Sequence, residues 1–205
     1  MADKMKLIAI TPELPIDNET RFIADILDAG FDYVHLRKPD YSLSQLKEYI
    51  SSIPTQYHSK LKLHSHFSLA NEFNVAGLHL NQRFCNIPKG LPDNLTISRS
   101  CHAATELNGL DNYEYVFLSP IYNSISKRGY ASRFSQGDLT EIFKQPATHG
   151  KIVALGGIMP FHLVQLSHLG FAGAAFLGYL FNNSDETVLI SKLSNIKNII
   201  QCYNL

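Results

Sequence analysis

Histidine offers the clearest chemistry in this chain. His64 and His66 stand two apart in LKLHSHFSLA (61–70), between a short apolar run and a helix-like stretch. His35 and Arg37 have the same spacing in DYVHLR, His79 lies in AGLHL, and His102 closes LTISRSCH. Imidazole titrates near neutrality and carries two distinct ring nitrogens, so clustered histidines suit proton transfer or binding of a borderline metal ion. A single histidine at such a place is more often structural. Five of the nine in the chain fall at comparable places, which shifts the reading toward a site.

Those places are strand ends. Runs rich in β-branched and apolar residues recur at 6–11, 32–37, 60–64, 76–80, 95–100, 114–119, 151–156 and 172–178. Helical periodicity lies between most of them. In ETRFIADILDAG, Phe22, Ile23, Ile26 and Leu27 share a face, and Gly30 is placed to end the helix. In SLSQLKEYISSI, Leu43, Leu46, Tyr49 and Ile50 do the same behind Ser42 as N-cap. GDLTEIFKQ, PFHLVQLSHLG and DETVLISKLSNIKNII repeat the scheme, with Pro160 suited to a first turn and Gly170 to a helix end. NQRFCNIPKGLPDN, after the fourth strand, reads mostly as loop. Eight strand–helix units predict an α/β chain folded as a (β/α)8 TIM barrel, one domain over 1–205. No GxGxxG follows the first strand to mark a dinucleotide crevice.

Active sites of such barrels lie at the C-terminal ends of the strands. That rim would gather His35, Arg37 and Lys38, then His64 and His66, then His79, Asn81 and Gln82. It would also gather Ser98, Ser100 and His102, followed by Ser119 and by Gly156 with Gly157. The Gly-Gly pair in ALGGIMPFHL and the small residues of GFAGAAFLGYLF, ending near Gly178, match the phosphate cradle common to these barrels. The tract SPIYNSISKRGYASRFSQG is long and polar, with Lys127, Arg128 and Arg133, as a binding loop or lid would be.

Composition narrows the partners. The 205 residues are 45% hydrophobic, with 18 basic and 18 acidic side chains. Zero net charge and the lack of a basic stripe argue against nucleic acid or an anionic membrane as partner. No run of about 18 apolar residues is present to span a bilayer. Three cysteines without CxxC spacing and no leader-like N-terminus fit a cytoplasmic location.

The motifs, taken in order, resemble the thiamine phosphate synthase/TenI family over nearly the whole chain. The family's strand-2 pattern Q/H-x-R-E-K is matched by HLRKP, its G-V-H-L-G-Q by GLHLNQ, and its G-x-S-x-H by SRSCH. Its G-P-I-F-x-T-x-T-K is matched by SPIYNSISK and its A-I-G-G-I by ALGGI. The resemblance implies the same barrel and a thiazole phosphate as substrate, with a pyrimidine pyrophosphate added in synthases. It implies that His35, Arg37, Ser100 and Lys127 bind substrate phosphates. Ser124 and Ser126 would stand near the thiazole phosphate, and Gly156, Gly157 and Gly178 would offer backbone donors to it.

The departures divide the family's two activities. Synthases hold Mg²⁺ on an aspartate in N-D-R and another in G-Q-x-D; here Ser65 and Phe84 occupy those positions. Neither replaces a carboxylate for a hard cation, so no metal ligand is expected and Mg²⁺ only if the chain is an active synthase. TenI-type members aromatise a thiazole phosphate tautomer without metal, and YVHLR and SRSCH lie closer to that branch. Their catalytic histidine, however, aligns with Pro120, which leaves His79 and His102 as the candidate acid/base residues. The leading expectation is a TenI-like thiazole tautomerase. The alternatives are a diverged thiamine-phosphate pyrophosphorylase and a non-catalytic phosphate-ligand binder. A zinc hydrolase on His64, His66 and His79 is a further alternative, disfavoured because no Asp or Glu is expected at the mouth. Self-association into a homo-oligomer stays open.

Overall fold

The computed structural model describes residues 4–123, 132–182 and 185–205. Eight parallel strands close in sequence order into a barrel: β1 (Lys6–Ile10), β2 (Tyr33–Leu36), β3 (Leu61–Leu63), β4 (Gly77–Leu80), β5 (Thr96–Cys101), β6 (Tyr115–Leu118), β7 (Ile152–Leu155) and β8 (Gly173–Phe176). Each observed strand falls on one of the expected runs to within about two residues at either end. The seam is closed by β8 on β1, with Ile8 opposite Ala175.

Helices cover part of the outside. They are α1 (Glu19–Asp28), α2 (Leu43–Ser51), α3 (Gln136–Phe143), α4 (Leu163–Leu169), the short α5 (Gly178–Phe181) and α6 (Glu186–Tyr203). Local signals account for their limits. The Ser42 hydroxyl accepts from the Gln45 amide while Gln45 returns a bond to the Ser42 amide, a reciprocal cap that starts α2. Gly30 and Gly170 take positive φ just beyond α1 and α4, where a Cβ would be strained. On α1, Phe22, Ile23, Ile26 and Leu27 are buried against the sheet, each contributing about 1.5–3 kcal/mol.

The helical layer is less complete than eight strand–helix units imply. Short 3₁₀ turns, not α-helices, follow β3 (Phe67–Asn71) and β5 (Ala104–Glu106 and Leu110–Asn112), and the 81–95 connection has neither. These connections are short or rich in Asn, Gly and Pro, which nucleate turns more readily than helices.

The barrel interior is unusually polar below the rim. Lys62 is fully buried, its ammonium 2.7 Å from Glu114 Oε2 and 2.6 Å from Thr96 Oγ1, between the rings of Tyr33 and Tyr115. Tyr33 donates to Glu114 at 2.7 Å, so the charge on this floor is paired and hydrogen-bonded. Above it Ile8, Ile10, Tyr115, Phe117, Val153 and Ala175 form an apolar layer. None of the helices among the described residues is long and apolar enough to cross a membrane.

Candidate active site

A cavity of about 570 Å³ opens at the C-terminal ends of the strands. Its wall includes Arg37, His64, Ser65, His79, Asn81, Ser100, His102, Ser119, Pro120 and Gly156, over an apolar base that includes Ile10, Phe117 and Leu155. Strand alternation explains the selection. Ser98 and Ser100 point the same way from β5, and register sets His79 of β4 beside Ser98.

Three histidines pack together beneath the opening. His35 Nδ1 lies 2.8 Å from His64 Nε2, and its Nε2 lies 2.6 Å from the Tyr115 hydroxyl. His64 and His79 stack with ring centroids 4.3 Å apart and planes 22° apart. Both nitrogens of His79 are engaged, Nδ1 with Ser98 Oγ at 3.0 Å and Nε2 with Ser100 Oγ at 2.9 Å. Burial, reinforced by Arg37, pushes His64 down to about 3. Burial and the neighbouring histidines hold His35 and His79 well below the usual imidazole range. At neutral pH the cluster is therefore uncharged.

His102 is different. It lines the cavity half-buried, with Nδ1 3.2 Å from both the carbonyl oxygen and the hydroxyl of Ser119. A carbonyl only accepts, so in the tautomer that bonds to it Nδ1 carries the hydrogen and Nε2 is the basic nitrogen. The residue after Ser119 is Pro120, also on the cavity wall. His102 thus stands beside the position at which TenI-type members were expected to carry their catalytic histidine.

Two arrangements fix the cationic side of the site. Arg37 pairs with Glu13 at 2.5 Å, and its backbone amide donates to the buried Thr11 hydroxyl. Lys38 turns away beneath it, buried against Glu19 at 2.8 Å and against the Pro12 carbonyl at 2.8 Å. Tyr49 of α2 donates to the same Glu19. This buried triad ties α1 and α2 to the end of β2. Lys38 is structural, not a substrate ligand.

The glycines behave unequally. Gly156 lines the cavity at φ 95°, where a Cβ would come within 2.8 Å of Pro120. Gly157, at φ 65°, packs under Tyr122 and Asn123, and a Cβ there would lie 2.3 Å from the Asn123 carbonyl oxygen. Gly178 begins α5, next to Leu177 on the cavity wall. Ser124, Ser126, Lys127 and Arg128, in the middle of the tract after β6, lie outside the described residues.

Two expectations about the mouth need correction. His66 does not line the cavity; its Nε2 donates to the Tyr41 carbonyl at 2.7 Å and its backbone sits at φ 49°. His35 takes its place in the cluster, so a trio of His64, His66 and His79 does not form. Carboxylates do reach the opening: Glu13 and Asp40 both line it. They come from the β1 loop and from beyond Pro39, where counting residues at strand ends does not look. Tyr115, Glu114 and Lys62 were also missed; alternation with outward-facing neighbours was a usable signal for Tyr115 and Lys62, but not for Glu114, which precedes β6.

The positions that hold Mg²⁺ in the resembled synthases do not fit it here. Ser65 is buried with its hydroxyl unpartnered, and Phe84 packs edge-on against Phe67 with ring centroids 6.2 Å apart. Of the carboxylates at the opening, Glu13 faces Arg37 and Asp40 faces Arg83 at 3.6 Å. The remaining side-chain donors on the wall are imidazoles, hydroxyls and the amides of Asn81 and Gln82, all uncharged and a poor set for a hard cation that favours carboxylate oxygen.

Fold and site together define a (β/α)8 barrel with its cavity at the strand C-termini and glycine turns beside it. Residues 7–180 match the family described as thiamine monophosphate synthase. The chain belongs to that family. It is 33% identical to the thiamine phosphate pyrophosphorylase of Bacteroides thetaiotaomicron, whose crystal structure superimposes with a TM-score of 0.84 over 96% of this chain and 98% of that one. A thiamine-phosphate synthase of Limosilactobacillus reuteri is 22% identical over 153 residues, 72% of this chain and 70% of the relative. The thiamine phosphate pyrophosphorylase of Pyrococcus furiosus, 16% identical with a TM-score of 0.76 over 98% of both chains, shares the fold.

Proposed function

We propose that this chain acts on a thiazole phosphate by metal-free proton transfer, as a TenI-type tautomerase. The observation that carries the reading is the pair Ser65 and Phe84 at the two carboxylate positions a Mg²⁺-dependent synthase requires. Coupling a pyrimidine pyrophosphate to thiazole expels pyrophosphate, whose charge must be neutralised as the bond breaks. The cavity offers Arg37 for that purpose, but its two described carboxylates, Glu13 and Asp40, face Arg37 and Arg83 and do not stand at the positions of Ser65 and Phe84.

Aromatising a thiazole tautomer asks for less. A proton leaves one ring position and another is delivered to a second, with no net change in charge. His102 Nε2 accepts the first proton, and the resulting imidazolium, steadied by the Ser119 carbonyl at Nδ1, returns one. His79, expected as an equal candidate, is buried and bonded through both nitrogens, and its place is to orient Ser100 at the wall. In this reading Arg37, Ser100 and the Gly156 turn receive the phosphate.

A diverged pyrophosphorylase is the second reading, favoured by the Bacteroides thetaiotaomicron likeness and by Arg37 and Ser100 on the cavity wall. Parallel incubations separate the two. Product from the thiazole tautomer with no added metal supports proton transfer, while thiamin phosphate from thiazole phosphate, pyrimidine pyrophosphate and Mg²⁺ supports coupling. Phosphate-ligand binding without either product would mark a non-catalytic binder.

A further inference from the structure

We propose that His35, His64 and His79 form a binding site for a divalent transition-metal ion of the Zn²⁺ class at the floor of the cavity. Each ring offers one nitrogen, and the three nitrogens lie within 4.8 Å of one another. Tetrahedral Zn²⁺ with bonds of about 2.0–2.1 Å sets its ligand nitrogens roughly 3.3 Å apart. His35 and His64 at 2.8 Å need open only slightly to admit an ion between them.

The surroundings resemble those of a built metal site. Ligating histidines characteristically donate their other ring N–H to an outer partner that fixes tautomer and orientation. The Tyr115 hydroxyl serves His35 in this way, leaving Nδ1 directed at His64. Ser98 and Ser100 hold the two nitrogens of His79, so whichever one binds metal, the other stays on a serine. All three rings are neutral at neutral pH, the state in which imidazole ligates. The nearby cations are offset, Arg37 by Glu13 and Lys62 by Glu114.

Chemistry selects the ion. Three imidazoles favour Zn²⁺, Co²⁺ or Ni²⁺ over Mg²⁺, which wants oxygen. His64 and His79 reach the cavity wall, so a fourth position faces the opening and would take water, hydroxide or a phosphate oxygen. The unpartnered, buried hydroxyl of Ser65 lies on the same wall and could bond to such a ligand. The site is independent of the proton-transfer reading and stands if that reading fails.

The test uses the purified full chain stripped with chelator and then titrated with Co²⁺ or Zn²⁺. One equivalent retained after desalting is expected, with the visible bands of four-coordinate Co²⁺. His35→Asn and His64→Asn should each abolish stoichiometric retention, while His66→Asn, in a residue turned toward Tyr41, should leave it unchanged. Far-UV circular dichroism checks that the variants fold. The wild-type spectrum decides the matter if they do not. Substoichiometric metal in the wild type would overturn the proposal, as would octahedral Co²⁺ bands. Metal retained in folded His35→Asn and His64→Asn, or lost only in His66→Asn, would overturn it too.

Discussion

The Nδ1 nitrogen of His102 lies 3.2 Å from the carbonyl oxygen of Ser119, one residue before Pro120. With Nδ1 donating to that carbonyl, Nε2 is the basic nitrogen left for chemistry at the cavity. His102→Asn should lower kcat for thiazole aromatisation by about 10²–10⁴-fold with little change in KM, the range for loss of a positioned acid/base. Steady-state kinetics on a variant with wild-type circular dichroism checks this. A variant that alters KM alone would place His102 in binding instead.

Arg37 pairs with Glu13 on the cavity wall and is the cation best placed for a substrate phosphate. Arg37→Ala should weaken binding of a thiazole phosphate by about 10–100-fold, in line with roughly 1.5–3 kcal/mol for a charged hydrogen bond. Binding of the unphosphorylated thiazole should change little. Calorimetry with both ligands makes the comparison, and equal losses for the two would remove Arg37 from phosphate recognition.

Glu114 governs the acid side of stability. Burial works against its charge, but Lys62 at 2.7 Å, with Thr96 and Tyr33, outweighs it and holds the carboxyl below its ordinary 4.5. A carboxylate depressed in the folded state stabilises above its unfolded pKa, and that stabilisation is lost as pH falls through the folded value. Glu114→Gln should therefore lower Tm at neutral pH, and the gap from wild type should shrink below about pH 4.5. Thermal melts across that range test the sign. A gap that widens on acidification would contradict it.

Gly157 has no room for a side chain: a Cβ would lie 2.3 Å from the Asn123 carbonyl oxygen, at a φ of 65°. Gly157→Ala should cost about 2 kcal/mol or more and lower Tm by roughly 4–8 °C. Gly137, in the first turn of α3, has no such constraint: a Cβ there would meet only the Ser135 hydroxyl at 3.6 Å, an ordinary contact. Gly137→Ala should accordingly not lower Tm, since alanine also suits a helix better than glycine. Differential scanning calorimetry of both variants decides between them.

The strands were legible because β-branched runs punctuated by Gly, Asn and Pro carry their own period. Ser42, Gly30 and Gly170 were legible as helix limits because capping is local. The helical layer was over-read after β3 and β5, where 3₁₀ turns pack just as well without a helical face. At the site, Arg37, His79, Ser100, His102 and Gly156 were found by asking which residues end strands. Glu13 and Asp40 escaped that question because loops bring them in from outside the strand register. His66 was misjudged because alternation fails at its positive φ, and the backbone turn carries its ring to Tyr41. The partnership of His35 with His64 and Tyr115 depends on the closed barrel, which brings three separate strands to one axis.

The central claim is metal-free proton transfer at His102, and one rate measurement tests it most directly. The purified chain is mixed with the thiazole phosphate tautomer without added Mg²⁺, and aromatisation is followed against the uncatalysed reaction. The account predicts acceleration by the wild type that is unaffected by adding Mg²⁺ and largely lost in His102→Asn. No acceleration by folded wild type, together with Mg²⁺-dependent thiamin phosphate formation by the same preparation, would contradict it.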